Sequence, residues 1–251
     1  MKIKTIYDWI DEIAPFSTAE KWDNVGLLIG DINGDFTKAL LALNITNEVV
    51  EEAHEINAQL IISHHPVIFV PMQEVTATSP VYQAARYGIS CISAHTNLDK
   101  SEVFGVNLSL ANAMKLNNIS RDPENELLFI GYTESPCTSD EFMTSIKKNL
   151  DLPGVCYTRF NNNIKKIGMC SGGGGSEIYD AIKTGCDAFV TGEIKHHELI
   201  EANSSGISTF ILGHFESEDV VIKDLTKRLS AEFPTVDFIK SKTCGDGVVF
   251  G

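Results

Sequence analysis

The sequence predicts an α/β fold of two similar, intertwined lobes, with mostly parallel sheets flanked by helices. Three observations predict it. Apolar runs of strand length alternate with segments of helical period, which argues for parallel pairing through helical crossovers. The order strand, helix, strand occurs twice. After each occurrence comes a related stretch, GISCISAHTNLDK (88–100) and GISTFILGHFESED (206–219). Both open Gly-Ile-Ser, run through an apolar strand and reach a His followed four residues later by an acid: His95 with Asp99, His214 with Glu218. An internal duplication explains this better than chance likeness of two strand ends.

The elements follow in order. Ile3, Ile6, Trp9, Ile10 and Ile13 recur at helical spacing before Pro15, so residues 2–14 read as an amphipathic helix. WDNVGLLIGD is a loop leading into a short apolar stretch. ALLALN (39–44) reads as a buried strand, Thr46 or Asn47 as the cap of a helix over 47–57, and QLIIS (59–63) as the next strand. KKIGMC (165–170), the turn SGGGGS, a helix over 176–184 and DAFVT (187–191) repeat the pattern. The polar stretch RDPEN (121–125), with Pro123, marks a boundary between lobes 1–124 and 125–251, and no low-complexity linker accompanies it.

The composition narrows the function. Twenty Lys and Arg face 34 Asp and Glu, a formal charge of −14, which repels nucleic acid and anionic membrane at long range. No basic patch or aromatic-basic interleaving offsets it, so neither partner is expected. No apolar run reaches the roughly 20 residues of a membrane span, and the first residues do not resemble a secretory signal. A cytoplasmic protein is expected. The six cysteines never form C-x-x-C and several lie in apolar stretches, so they read as reduced core thiols and not as a zinc or dithiol site.

Seven histidines stand at 54, 64, 65, 95, 196, 197 and 214, and six of them fall at or just after predicted strand ends, where α/β proteins collect ligands. In SHHP, His64 and His65 leave a buried strand and Pro66 stops the ladder. Neighbours on an extended strand point opposite ways, so the pair fits two adjacent metals better than one. An isolated His-His pair is more often one structural His with an exposed neighbour. This pair is accompanied by Asp99, His214 and Glu218. Imidazole and carboxylate without thiolate suit Zn, Mn, Fe, Co or Ni, and five ligands exceed what one catalytic zinc takes. They suit two divalent metal ions if one carboxylate bridges.

As a set, WDNVGLLIG, LIISHHPVIF, AHTNLDK, TGEIKHHE and GHFESE resemble the signatures of the NGG-interacting-factor-three-like proteins, a dinuclear-metal family often called GTP cyclohydrolase 1 type 2 homologues. The match runs from Trp22 to Glu218. The resemblance implies that His64, His65, Asp99, His214 and Glu218 bind two metals, with Glu218 bridging. It implies a toroidal homohexamer, and the chain corresponds to the short form that lacks an extra domain between the lobes. Asn44 stands where the pattern has Asp, and Ser217 where Thr is usual. Glu193 and His197 match the pattern, while His196 takes a position where an aromatic is common.

His95, the counterpart of His214, is a candidate proton shuttle, substrate contact or orienting donor, and His197 is expected to face the cavity; both also fit a structural role. SGGGGS could cradle a phosphate at a helix start or serve as a tight turn. Trp22, Asp23 and Asn24 read as a capped loop without a catalytic role. The chemistry expected is hydrolysis of a small molecule, a nucleotide in the first instance, by a hydroxide bridging two metals. For GTP, attack at C8 opens the imidazole ring and formate leaves; a phosphoesterase would use the same centre. The alternative is a non-catalytic protein that stores, senses or delivers metal.

Overall fold

The computed structural model describes residues 1–248. The chain folds as two compact units. One is built from Met1–Phe104 and Val221–Gly247, and Gly105–Val220 forms the other, so the second is inserted in the first. The division falls at Phe104, not at residue 124. The polar stretch at 121–125 is instead the loop of an antiparallel hairpin, in which Asp122 Oδ1 accepts from the backbone N–H groups of Glu124 and Asn125. Its Pro and its polarity signal a turn as well as they would a linker.

In the first unit, helix α1 (Ile3–Ile13) buries Ile3, Ile6 and Ile10. A five-stranded sheet follows, formed by β1 (Gly26–Ile29), β2 (Lys38–Ala42), β3 (Leu60–Ser63), β4 (Ser90–Ser93) and, far along the chain, β11 (Asp237–Lys240). Its order is β1-β4-β3-β2-β11, parallel except for β1. Helices α2 (Asn47–Glu55) and α3 (Pro80–Tyr87) are the crossovers. Thr46 caps α2 by accepting from the Val49 N–H, and the helix stops at Glu55 because Asn57 turns left-handed. Leu40, Val49, Val50, Ala53, Ile61, Ala84 and Cys91 make the core beneath these helices. One further turn, α4 (Thr96–Asp99), follows β4.

The second unit begins with α5 (Val106–Ala113). Its six strands are β5 (Asn117–Arg121), β6 (Phe129–Cys137), β7 (Cys156–Tyr157), β8 (Ile164–Cys170), β9 (Ala188–Thr191) and β10 (Ser208–Ile211), in the order β5-β6-β8-β9-β10-β7. Helix α6 (Ser139–Leu150) starts on a full Thr138–Glu141 capping box. Strands β8, β9 and β10 run parallel, joined by α7 (Ile178–Lys183) and α8 (His196–Ser204).

The duplication is plain in this topology. Each unit contains three parallel strands in chain order, β2-β3-β4 and β8-β9-β10, with an antiparallel strand on the last, β1 or β7. The second Gly-Ile-Ser stretch leads through β10 into the 19-residue helix α9 (His214–Glu232).

Candidate metal centre

In the first unit the donors gather past the carboxyl ends of β3 and β4. Strand β3 ends at Ser63, yet the chain stays beside β2 for two more residues, through His64 N–H to Ala42 O and His65 N–H to Leu43 O. Because the strand has ended, the two imidazoles do not diverge as an extended backbone requires. Their centroids lie 4.9 Å apart, and His95, two residues past β4, lies 5.1 and 5.3 Å from them. One ligand atom of each of His64, His65 and His95 lies within 4.8 Å of the others. Asp99 comes within 3.5 Å of His64, from its Oδ1 to the imidazole Nε2.

Each ring is held by its other nitrogen. His64 Nδ1 donates to Ala94 O at 2.9 Å, His65 Nδ1 pairs with Asn44 Oδ1 at 2.6 Å, and His95 Nδ1 pairs with Asp23 Oδ1 at 2.8 Å. A carbonyl or carboxylate oxygen only accepts, so these partners fix the Nδ1–H tautomer and leave Nε2 as the ligand atom. Asp23 is fully buried at its side chain, and its second oxygen accepts from the backbone N–H and hydroxyl of Thr96. Burial opposes its ionisation, but the hydrogen bonds from His95 and Thr96 outweigh it and hold the carboxyl well below the usual carboxylate range.

The second unit builds a smaller donor pair at the start of α9. The four-residue spacing read in the sequence is one helical turn, which stacks His214 over Glu218 with Nε2 3.2 Å from Oε2. Glu193, just beyond β9, holds His214 Nδ1 at 3.0 Å. The hydrogen bond with Glu218 raises the His214 pKa, burial lowers it, and the nearby carboxylate charges raise it further, to about 9 overall. Gly172 lies directly against this pair. A Cβ there would stand 2.0 Å from Glu218 Oε1 and 3.1 Å from His214 Nε2, and the residue has φ +55°.

SGGGGS is therefore the floor under Glu218 and a tight entry to a 3₁₀ turn over Gly174–Glu177, with α7 starting after it. Of the two sequence readings of this stretch, the close turn is the one its geometry displays. His197 lies exposed in the first turn of α8, as does His196, and among the described residues neither joins these donor groups. Asp23, which reads in the sequence as part of a capped loop without a catalytic role, holds His95, a link that a lone Asp in a loop does not signal; Asn44, a departure from the family pattern, supplies the oxygen that holds His65.

The donor chemistry fits a divalent first-row metal: imidazoles of His64, His65 and His95 each anchored at Nδ1, carboxylates within reach, and no thiolate in any donor group among the described residues. Three cysteines, Cys91, Cys170 and Cys186, are buried as expected of core thiols, but Cys156 is exposed. Among the described residues no helix is long and apolar enough to cross a membrane.

Known proteins place the chain. A protein of Clostridium perfringens named GTP cyclohydrolase 1 type 2 homolog is 32% identical over the full length of both chains. A Campylobacter jejuni protein of the same name is 33% identical, over 91% of this chain and 92% of its own. The crystal structure of a Staphylococcus aureus hypothetical protein superposes with a TM-score of 0.91 at 31% identity, covering 100% of this chain and 99% of that one. Reduced HcgD from Methanocaldococcus jannaschii gives 0.84 at 26% identity, covering 96% and 98%. The profile of the Duf34/NIF3 (NGG1p interacting factor 3) family matches residues 1–245, and the chain belongs to that family.

Proposed function

We propose that this protein is a dinuclear metal-dependent hydrolase, in which His64, His65, Asp99, His214 and Glu218 hold two divalent cations and Glu218 is shared by both. The observation that carries the reading is the common arrangement of the two imidazoles after β3: His64 and His65 each anchor Nδ1 on an oxygen acceptor and turn Nε2 to the donor group. Side chains kept only for packing have no need of a matched tautomer. When bound, two such cations lower the pKa of a water and stabilise negative charge growing on the substrate.

The protein's own groups do the rest. His95, tied to Asp23, offers its Nε2 to move a proton, and the exposed His197 is a second proton carrier. The names of the relatives support a nucleotide substrate, with hydrolytic opening of the GTP imidazole ring or cleavage of a nucleotide phosphoester as the candidate reactions. The family likeness supports a toroidal homohexamer working in the cytoplasm.

One observation favours a second reading. His95 is close enough to His64 and His65 to act as a ligand itself, which would fill coordination positions and suit metal storage or regulation.

Metal analysis of protein purified without chelator, followed by turnover assays with GTP and nucleotide phosphoesters, tests both. Metal-dependent turnover that vanishes in Asp99→Ala is expected. Full metal occupancy with no turnover on any of these substrates would overturn the hydrolase and leave storage.

A further inference from the structure

Two loops of the first unit bring three rings together at the rim of the imidazole cluster. Trp22 and Phe69 have centroids 5.8 Å apart at 59°, and they lie 6.1 and 6.0 Å from His95, edge-on at 75° and 72°. Trp22 is 60% exposed and Phe69 49%. A single exposed aromatic needs no explanation. Here the backbone under both rings is pinned while the rings themselves face water. Asp23 is locked to His95 and Thr96, and the Asn24 side-chain amide donates to Ile68 O at 2.5 Å, tying the Trp22 loop to the Phe69 loop.

We infer that Trp22 and Phe69 form a stacking platform for a planar heteroaromatic ring of the substrate, placed beside His95. This rests on the hydrolase reading and names what that enzyme would recognise. At 5.8 Å the two rings leave no slot for a third between them. The exposed face of Trp22 therefore takes the ring, and Phe69 walls one side. Stacking on a pre-positioned indole is sequence-tolerant, because every base has a π-face. His95 adds the polar element: with its Nδ1–H committed to Asp23, Nε2 is the acceptor left to take a hydrogen bond from a ring N–H or an exocyclic amino group. The competing occupant is a second copy of the chain, since Val70, Met72 and Val75 are also exposed farther along the Phe69 loop.

The sequence has two tryptophans, so a Trp9→Phe background isolates Trp22 fluorescence. In metal-loaded protein, guanosine should quench Trp22, whereas ribose 5-phosphate, which has no aromatic ring, should not. Trp22→Leu and Phe69→Leu, read by calorimetry, should each weaken guanosine binding on the order of tenfold, with metal content and Tm unchanged. If GTP is turned over, KM should rise with kcat preserved. Absence of guanosine binding, or equal affinity in wild type and Trp22→Leu, overturns the platform. A shift in oligomeric state in Trp22→Leu without loss of guanosine affinity does so too, and assigns the patch to a second copy. The two readings fail separately: quenching without any turnover keeps the platform and sinks the hydrolase, and turnover indifferent to both variants does the reverse.

Discussion

The buried Asp23 carboxylate accepts four hydrogen bonds, one from His95, one from the Asn24 N–H and two from Thr96, and it is the most consequential single side chain outside the proposed ligand set. Its charge fixes which nitrogen of His95 carries the proton. Asp23→Asn keeps the shape, but its amide allows either tautomer to be satisfied, so kcat of the metal-loaded protein should fall by roughly 10- to 100-fold with metal content unchanged. A fall in metal affinity by chelator competition would instead make His95 a ligand, as the storage reading has it. The cysteines supply a contrast at the same level. Burial pushes the Cys91 thiol up to about 12, whereas Cys156 is exposed. Since the thiolate is the nucleophile, iodoacetamide at neutral pH should label Cys156 first and Cys91 only on unfolding. Peptide mass spectrometry reads the order directly.

Turns and short segments carry the next layer of the argument. Gly172 is irreplaceable on two grounds, a left-handed φ of +55° and a Cβ position 2.0 Å from Glu218 Oε1. Gly172→Ala should cost about 1–3 kcal/mol in denaturant unfolding and should abolish metal retention, because the Glu218 carboxylate is displaced. Normal metal content in that variant would remove Glu218 from the ligand set. Elsewhere, Glu52 on α2 clasps the segment after β11 by accepting from Ser241 Oγ at 2.6 Å, Lys242 N–H at 3.0 Å and Thr243 Oγ1 at 2.8 Å. Burial raises its pKa, but these hydrogen bonds outweigh burial and the value falls below the ordinary 4.5. A depressed carboxyl contributes stability above its unfolded pKa and loses it as pH falls through the folded one. Glu52→Gln should therefore be less stable than wild type by roughly 1 kcal/mol at pH 7, with the difference shrinking below about pH 4.5. A gap that persists at low pH would show that packing, not charge, is lost. These elements also mark where the sequence was legible. Helix periods and the parallel repeat were readable because apolar spacing is a local property. The convergence of His64 and His65 was not, although the strand was legible to its end at Ser63, because the backbone path of the two residues after it is set by contacts with Ala42 and Leu43 and not by local spacing.

Among the described residues, three apolar clusters each fall within one unit. Leu110, Phe129, Phe142, Ile167 and Phe210 cluster with neighbours that all fall within Gly105–Val220, and a second cluster around Leu128, Ile178 and Phe189 does the same. The first unit, by contrast, is assembled from both ends of the sequence, since β11 pairs in parallel with β2. Nothing local announces that pairing: DFIK is a four-residue strand whose partner lies nearly two hundred positions earlier. Only contacts reveal it, which is why the sequence divides the chain once, at 124, where the structure interrupts one unit with another. The asymmetry has a folding consequence. A fragment of residues 105–220 keeps all six strands of its sheet and is long enough to bury a core of its own. It should unfold cooperatively in urea, with coincident transitions by far-ultraviolet circular dichroism and by near-ultraviolet signal from Phe and Tyr. A fragment of residues 1–104 lacks β11 and should be far less stable, leaving β2 as an open edge that invites association. If the inserted fragment melts without cooperativity while 1–104 folds alone, the second unit depends on the first, and the duplicated halves are not independent folding units.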